Sequence, residues 1–225
     1  MKTTAIIVAA GTGSRFKSDT PKQFLDLAGK PVLVHTIERV ASAPSVDTII
    51  AVVAPEYVTE LGGIGFSKPL RVVTGGATRA ASVFNGLGSV EDDVEIVAIH
   101  DGARPFVSVD EIERTIAKAK EMGAACLVGP VTDTIKTIRG NDISGTLDRN
   151  KLRRALTPQA FKIEVLRRAF EIGELGEDVT DECYLVEKLG HPVELVEGSA
   201  RNIKITHPED LAMARAMMHE QNEKS

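Results

Sequence analysis

The sequence predicts an α/β fold: a Rossmann-like, mostly parallel open sheet with helices on both faces and a protruding β-hairpin arm. Three observations predict it. Short runs that are apolar almost throughout recur along the chain, as strands covered on both faces must be. Amphipathic stretches with helical spacing alternate with them, and that alternation implies parallel pairing through helical crossovers. One weakly alternating segment with a polar turn at its centre breaks the rhythm.

Residues 4–10 read as a buried first strand, because Ala5, Ile6, Ile7 and Val8 run without polar interruption into glycine. Residues 31–43 place Leu33, Ile37 and Val40 on one helical face. Residues 48–54, 70–74, 94–100 and 124–130 repeat the strand signature. Residues 108–122 read as a helix that opens on the capping box of Ser108 and Glu111 and ends at Gly123. Residues 133–149 read as a hairpin around Arg139-Gly140-Asn141-Asp142. Its apolar residues are few, mainly Ile135, Ile138, Ile143 and Leu147, and a lone hairpin is marginal in water. It must therefore fold back on its own sheet or reach onto a second subunit. Thr180 reads as an N-cap with acids behind it. Lys204 reads as part of a short strand, with Ile203 and Ile205 on one face and Asn202, Lys204 and Thr206 on the other. The last helix, 206–221, opens with Thr206 and Glu209 as a capping box and Pro208 in its first turn.

Composition excludes several classes. A chain of 225 residues buries a core without disulfides or a structural metal. A net charge of -5 argues against a nucleic-acid coat protein. With 4% aromatics and no Trp, base-stacking platforms are disfavoured. Cys126 and Cys183 are too few for a disulfide framework or a cysteine zinc site, and His35, His191, His207 and His219 lack ligand spacing. The N-terminal apolar run is too short to span a bilayer and leads to Arg15, Lys17 and Lys22, not to a cleavage site. The expectation is a cytoplasmic protein with free thiols and neither nucleic acid nor membrane as partner.

The loop Ala9-Ala10-Gly11-Thr12-Gly13-Ser14-Arg15 follows the first strand. It is not a dinucleotide fingerprint, since Phe16 stands where the third glycine belongs, and Phe16-Lys17-Ser18 breaks the P-loop pattern. What remains is a glycine turn that brings backbone N–H groups close to a ligand, with Arg15 and Lys22 as two cations. That suits a triphosphate; a basic surface turn is the plain alternative. Asp101 stands just beyond an apolar strand, at the carboxyl end where open α/β sheets bind ligands, and can hold Mg²⁺ or cap a turn. Arg104 either pairs with Asp101 or braces the loop, and Ser82 serves equally as a helix N-terminal hydroxyl.

Five blocks in order carry a resemblance. They are the glycine loop with Pro21-Lys22-Gln23-Phe24; Gly75-Gly76 with Arg79 and Ser82-Val83; His100-Asp101-Gly102-Ala103-Arg104-Pro105; Asp148-Arg149-Asn150 with Leu156-Thr157-Pro158-Gln159; and Asn202-Ile203-Lys204-Ile205-Thr206. Together they resemble the 2-C-methyl-D-erythritol 4-phosphate cytidylyltransferase family of the non-mevalonate isoprenoid pathway. The resemblance implies transfer of CMP from CTP to methylerythritol phosphate, Mg²⁺ or another divalent cation as cofactor, and a homodimer. It implies one domain over 1–225 with a dimerisation arm at about 133–156. It assigns Arg15, Lys22, Arg149 and Lys204 to catalysis. It assigns Ala9, Ala10, Gly11, Gly13, Gly76, Ser82, Asp101 and Gly102 to CTP, and Asp101 also to the metal. Thr134, Arg149 and Lys204 fall to the acceptor, the first two reaching a neighbouring subunit. Ala77 stands where some members carry an acid, which leaves base reading there to the main chain. The rival readings are a cytidylyltransferase for another polyol phosphate such as ribitol 5-phosphate, a sugar-1-phosphate nucleotidylyltransferase, and a silent nucleotide-binding module.

Overall fold

The computed structural model describes residues 1–11, 16, 20–172 and 179–223. In chain order the elements are β1 (Lys2–Ala9), β2 (Asp26–Leu27), β3 (Lys30–Pro31), α1 (Val32–Ala41), β4 (Thr48–Val53), α2 (Val58–Gly62), β5 (Leu70–Thr74), α3 (Arg79–Leu87), β6 (Val94–Asp101) and α4 (Val109–Met122). There follow β7 (Ala124–Pro130), β8 (Lys136–Arg139), β9 (Asp142–Thr146), β10 (Arg153–Lys162), α5 (Ile163–Ile172), α6 (Glu182–Lys188), β11 (Glu194–Glu197) and α7 (Pro208–Glu223).

The continuous apolar runs are explained by burial on both faces. Ala5, Ile7 and Ala9 of β1 enter one core with Leu33 and Ile37 of α1 and Ile112 and Ile116 of α4. Ile6 enters the opposite core with Val83 of α3, Leu166 of α5 and Val186 of α6. The helices thus lie on both faces, as the pattern requires. The strand order is β11-β7-β10-β6-β1-β4-β5. β6, β1, β4 and β5 pair in parallel, as do β7 and β11, while β10 runs antiparallel between β6 and β7. The carboxyl ends of β1 and β6 lie together, Val8 beside Asp101 in register. That edge carries Ala10 and Gly11 as well as Asp101.

The hairpin is β8 and β9, joined by Gly140-Asn141 and forming its own two-stranded sheet. Ile138 and Ile143 are exposed by 72% and 67%, so the arm does not lie back on the main sheet. Three local expectations are corrected. Lys204 lies in a loop and not on a strand; Asn202 and Ile205 are the buried residues there, Ile205 against Leu27, Phe106 and Leu211, so the two faces expected of a strand are not formed. The N-terminus of α7 is capped by Asp210, whose Oδ2 accepts from the Thr206 and His207 N–H groups, one residue beyond the expected Glu209. The N-cap of α6 is Asp181, accepting from Tyr184 N–H, and not Thr180. Among the described residues no helix is long and apolar enough to cross a membrane.

The expected end of α4 is observed. Its capping box is complete, and Gly123 follows with φ 93°. A side chain in that region strains the backbone, and a Cβ there would stand 2.8 Å from the His191 ring. Gly123→Ala is expected to lower stability by about 1–2 kcal/mol, read as a lower urea midpoint with an unchanged slope.

Candidate active site

A cleft of about 540 Å³ opens at the carboxyl ends of β1 and β6. Its lining includes Ala9, Ala10, Gly11, Lys22, Gly76, Arg79, Ser82, Asp101, Lys204 and Thr206. The glycine turn is held at its base by Gln23, whose Nε2 donates to the carbonyls of Ala9 at 2.6 Å and Gly11 at 2.9 Å. Lys22 opens a short 3-10 turn, Lys22–Phe24, so the residue that fixes the loop and the cation facing the cleft are neighbours.

On the opposite wall the chain leaves β5 through Gly75 and Gly76. A Cβ on Gly75 would sit 2.2 Å from that of Ala10, so only glycine lets these two strand exits approach. The buried Ser82 hydroxyl accepts from Gly76 N–H at 3.0 Å and donates to the Thr78 carbonyl at 2.9 Å. Thr78 in turn caps α3 by accepting from Ala81 N–H. Ser82 therefore shapes the turn, while Thr78 and not Ser82 caps the helix, and both Ser82 and Gly76 line the cleft.

The floor is Asp101, the last residue of β6. Its Oδ1 accepts from Arg79 Nε and Nη2, both at 3.3 Å. Its Oδ2 accepts from Arg104 Nε at 3.3 Å and lies 2.9 Å from Lys204 Nζ. Burial alone would raise this carboxyl's pKa; the charges of Arg79, Lys204 and Arg104 outweigh burial and hold it far below the usual range. Arg79 also donates from Nη1 to Glu182 Oε1 at 2.7 Å. Burial opposes the Arg79 charge, but Glu182 and Asp101 together overcome it and raise its pKa. Burial raises the pKa of Glu182, against the pull of Arg79. Among the described residues no cluster of three or more His, Cys, Asp or Glu side chains is arranged to hold a metal ion.

A neutral hydrogen-bond chain supports this floor. Asp101 N–H donates to Thr157 Oγ1 at 3.0 Å, and Thr157 Oγ1 stands 2.9 Å from His100 Nδ1. His100 Nε2 stands 3.1 Å from the Arg104 carbonyl, which can only accept. The proton is therefore on Nε2, and the Thr157 hydroxyl donates to Nδ1. Arg104 Nη1 donates to the Asn202 carbonyl, and Asn202 Nδ2 donates to the Thr157 carbonyl, both at 2.9 Å. These bonds tie the loop carrying Lys204 to β6 and β10, so Arg104 both pairs with Asp101 and braces the loop.

The family model IspD, 2-C-methyl-D-erythritol 4-phosphate cytidylyltransferase, matches residues 3–220. The chain belongs to this family. A 2-C-methyl-D-erythritol 4-phosphate cytidylyltransferase of Desulforamulus reducens is 44% identical, over 97% of this chain and 96% of that protein. One of Geotalea uraniireducens is 41% identical over 99% of each. The crystal structure of 4-diphosphocytidyl-2C-methyl-D-erythritol synthase from Anaerococcus prevotii superimposes with a TM-score of 0.87 at 31% identity, covering 97% of this chain and 96% of that one.

Within this cytidylyltransferase fold the expected site residues divide into four groups. Ala9, Ala10, Gly11, Lys22, Gly76, Ser82, Asp101 and Lys204 line the one cleft. Gly102 adjoins it, its N–H donating to the Val8 carbonyl at 2.9 Å. Thr134 and Arg149 are exposed on and beside the arm and do not line the cleft; Arg149 donates to the Thr132 carbonyl. Gly13 and Arg15 lie outside the described residues. The sequence signals no site role for Gln23 or Arg79, and Glu182 reads there only as an acid in the first turn of a helix. Gln23 and Arg79 stood within quoted blocks, but Glu182 is 103 residues from the arginine it meets, a pairing that no local spacing encodes.

His100 supplies a pH test. It is buried, and burial lowers its pKa to about 4 from 6.5. Between those values the unfolded chain takes up a proton that the folded chain refuses. Stability is therefore intact above pH ~6.5 and falls as pH drops toward ~4, by at most roughly 3 kcal/mol from this group. The lowered Asp101 loses its contribution only below the ordinary carboxylate range, and the raised Glu182 acts in the opposite sense. Urea melts of wild type and His100→Asn isolate the histidine: from pH 7 to 5 the wild type is expected to lose more stability than the variant. Equal losses would show that His100 is not the titrating group.

Proposed function

We propose that this chain transfers CMP from CTP to 2-C-methyl-D-erythritol 4-phosphate, forming 4-diphosphocytidyl-2-C-methyl-D-erythritol and releasing pyrophosphate. One observation carries the reading: Arg79, Arg104 and Lys204 converge on one carboxylate at the strand ends, with Lys22 on the same cleft. A site with more cations than carboxylates attracts a polyanion, and both substrates are polyanions.

The acceptor is a phosphate monoester. Its second pKa is about 6, so it is largely dianionic at neutral pH and already a nucleophile. One of its oxygens attacks the α-phosphorus of CTP; the new P–O bond forms as the bond to the bridging oxygen of pyrophosphate breaks. No general base is needed, and His100, engaged at both ring nitrogens, is not placed to be one. The chain's part is positioning and charge neutralisation. Lys22 on the cleft neutralises the triphosphate, the family resemblance adding Arg15 to that role; Lys204 aims the acceptor, and backbone around Gly76 reads the cytosine edge by close approach.

Mg²⁺ fits the donor set in one way. It is typically held by one or two carboxylates together with substrate phosphates and waters, and Asp101 supplies one carboxylate at the cleft floor. Asp101 would hold the ion, which supplies neutralisation of phosphate charge. The arm, about 133–156, is read as the contact of a homodimer: exposed Ile138, Ile143 and Leu147 support its being covered by a second copy, which would carry Thr134 and Arg149 to the neighbour's acceptor.

The deciding assay measures pyrophosphate with each of four nucleoside triphosphates and with methylerythritol phosphate or ribitol 5-phosphate. Release is expected with CTP and methylerythritol phosphate; release with ribitol 5-phosphate alone overturns the acceptor. Lys22→Ala is expected to lower kcat about 10²–10³-fold, roughly 2.7–4 kcal/mol, by analogy with loss of a preorganised donor. Near-normal turnover would remove Lys22 from the mechanism. For the arm, sedimentation equilibrium of Ile138→Glu is expected to give an inactive monomer; a fully active monomer refutes the role of Arg149 across subunits.

A further inference from the structure

The cations on Asp101 are held differently. Lys204 approaches Oδ2 at 2.9 Å, its side chain is 35% exposed, and among the described residues no other carboxylate pairs with it. Arg104 is nearly buried and has a second hold on the Asn202 carbonyl. Arg79 leans on Asp101 at 3.3 Å but makes its shorter bond, 2.7 Å, to Glu182. Arg79 is therefore seated on Glu182 and shared with Asp101.

The Glu182 side chain is fully buried at the start of α6. Among the described residues its second oxygen, Oε2, has no hydrogen-bond partner. Its backbone N–H and that of Cys183 donate to Gln159 Oε1, which fixes the start of α6 against β10. A carboxylate sealed from water and left with one partner is costly unless that partner answers its charge. Its answer is Arg79, whose other edge lines the cleft.

We propose that Glu182 is a positioning residue. It seats Arg79 as a fixed cation against Asp101, so that Asp101 remains paired when Lys204 turns from it to an anionic substrate. Arg79 and Arg104, each with two holds, stay in place; Lys204, with one, is the cation that moves. This rests on the cytidylyltransferase reading above and adds to it a division between fixed and moving charge. Arg suits the fixed role because its planar fork meets two carboxylates at once, whereas an ammonium is a point charge.

A double-mutant cycle tests this with wild type, Glu182→Gln, Arg79→Met and the double variant. Glu182→Gln keeps the shape and removes the charge. It is expected to lower kcat/KM about tenfold, within the usual range for contacting pairs. If Glu182 acts through Arg79, the double variant is no worse than Arg79→Met alone. Removing both members of a buried pair is tolerated better than removing one. If Glu182→Gln fails to fold, the comparison of the double variant with Arg79→Met therefore decides. The same tenfold loss in both backgrounds, or none in either, overturns the proposal, since a purely structural role for α6 does not depend on Arg79. A wild type that releases no pyrophosphate from CTP and methylerythritol phosphate overturns the parent reading, and this proposal with it. An active wild type without coupling overturns this proposal alone.

Discussion

The cleft depends on one electrostatic constraint: the Asp101 carboxylate at the end of β6 holds three cations close to one another. Without it Arg79, Arg104 and Lys204 would repel, and burial would disfavour the two arginines outright. With it, the cations are collected at a point where the backbone of the glycine turn also faces. Among the described residues the balance is incomplete: even with Glu182 counted, Arg79, Arg104 and Lys204 set three positive charges against two negative ones, and Lys22 lines the same cleft. That surplus is what an incoming phosphate meets. It also explains how a chain of net charge -5 accommodates polyanions, since local arrangement and not the total decides the field inside a cleft.

Charge alone would not hold geometry, because ion pairs at about 3 Å tolerate many arrangements. The neutral bonds behind them do not. His100, Thr157 and Asn202 are all buried and form a directional chain from the Arg104 carbonyl to the Asp101 N–H and to the Lys204 loop. A protonated His100 could not accept from Thr157, so the neutral state of this imidazole belongs to the structure of the site. The aromatic poverty of the chain is consistent with the same plan: the wall at Gly75 and Gly76 is close-packed backbone, not a stacking surface.

What could be read from the sequence followed local rules. Residues 124–130 and 70–74 match their strands, and the capping box on α4 is present as expected, because apolar runs and caps are decided within a few residues. The turn of the hairpin was legible for the same reason. Lys204 is not a strand residue because apolar alternation reports burial and not pairing: Ile205 is buried among Leu27, Phe106 and Leu211 without joining a sheet. The cap of α7 was displaced by one residue because Glu209 and Asp210 are both acids at usable spacing, and only the fold shows which one turns back. Of the cleft, the residues inside ordered motifs were visible. Glu182 was not, since its partner is reached across the sheet by way of β10 and α6.

The position of β10 also governs when the site can form during synthesis. It is wedged between β6 and β7, which precede it in the chain, and it alone of the strands in the main sheet runs against the others. Until residues 153–162 emerge, β6 has an open edge and the Asp101 N–H lacks the Thr157 hydroxyl that receives it. A nascent chain can assemble β1, β4, β5 and β6, which neighbour one another early, but closes the sheet by a late insertion of distant sequence. Such non-local closure is slow, and an open hydrophobic strand edge is a template for association in the meantime. The same strand that completes the cleft floor therefore ends the period in which this chain is most exposed to aggregation.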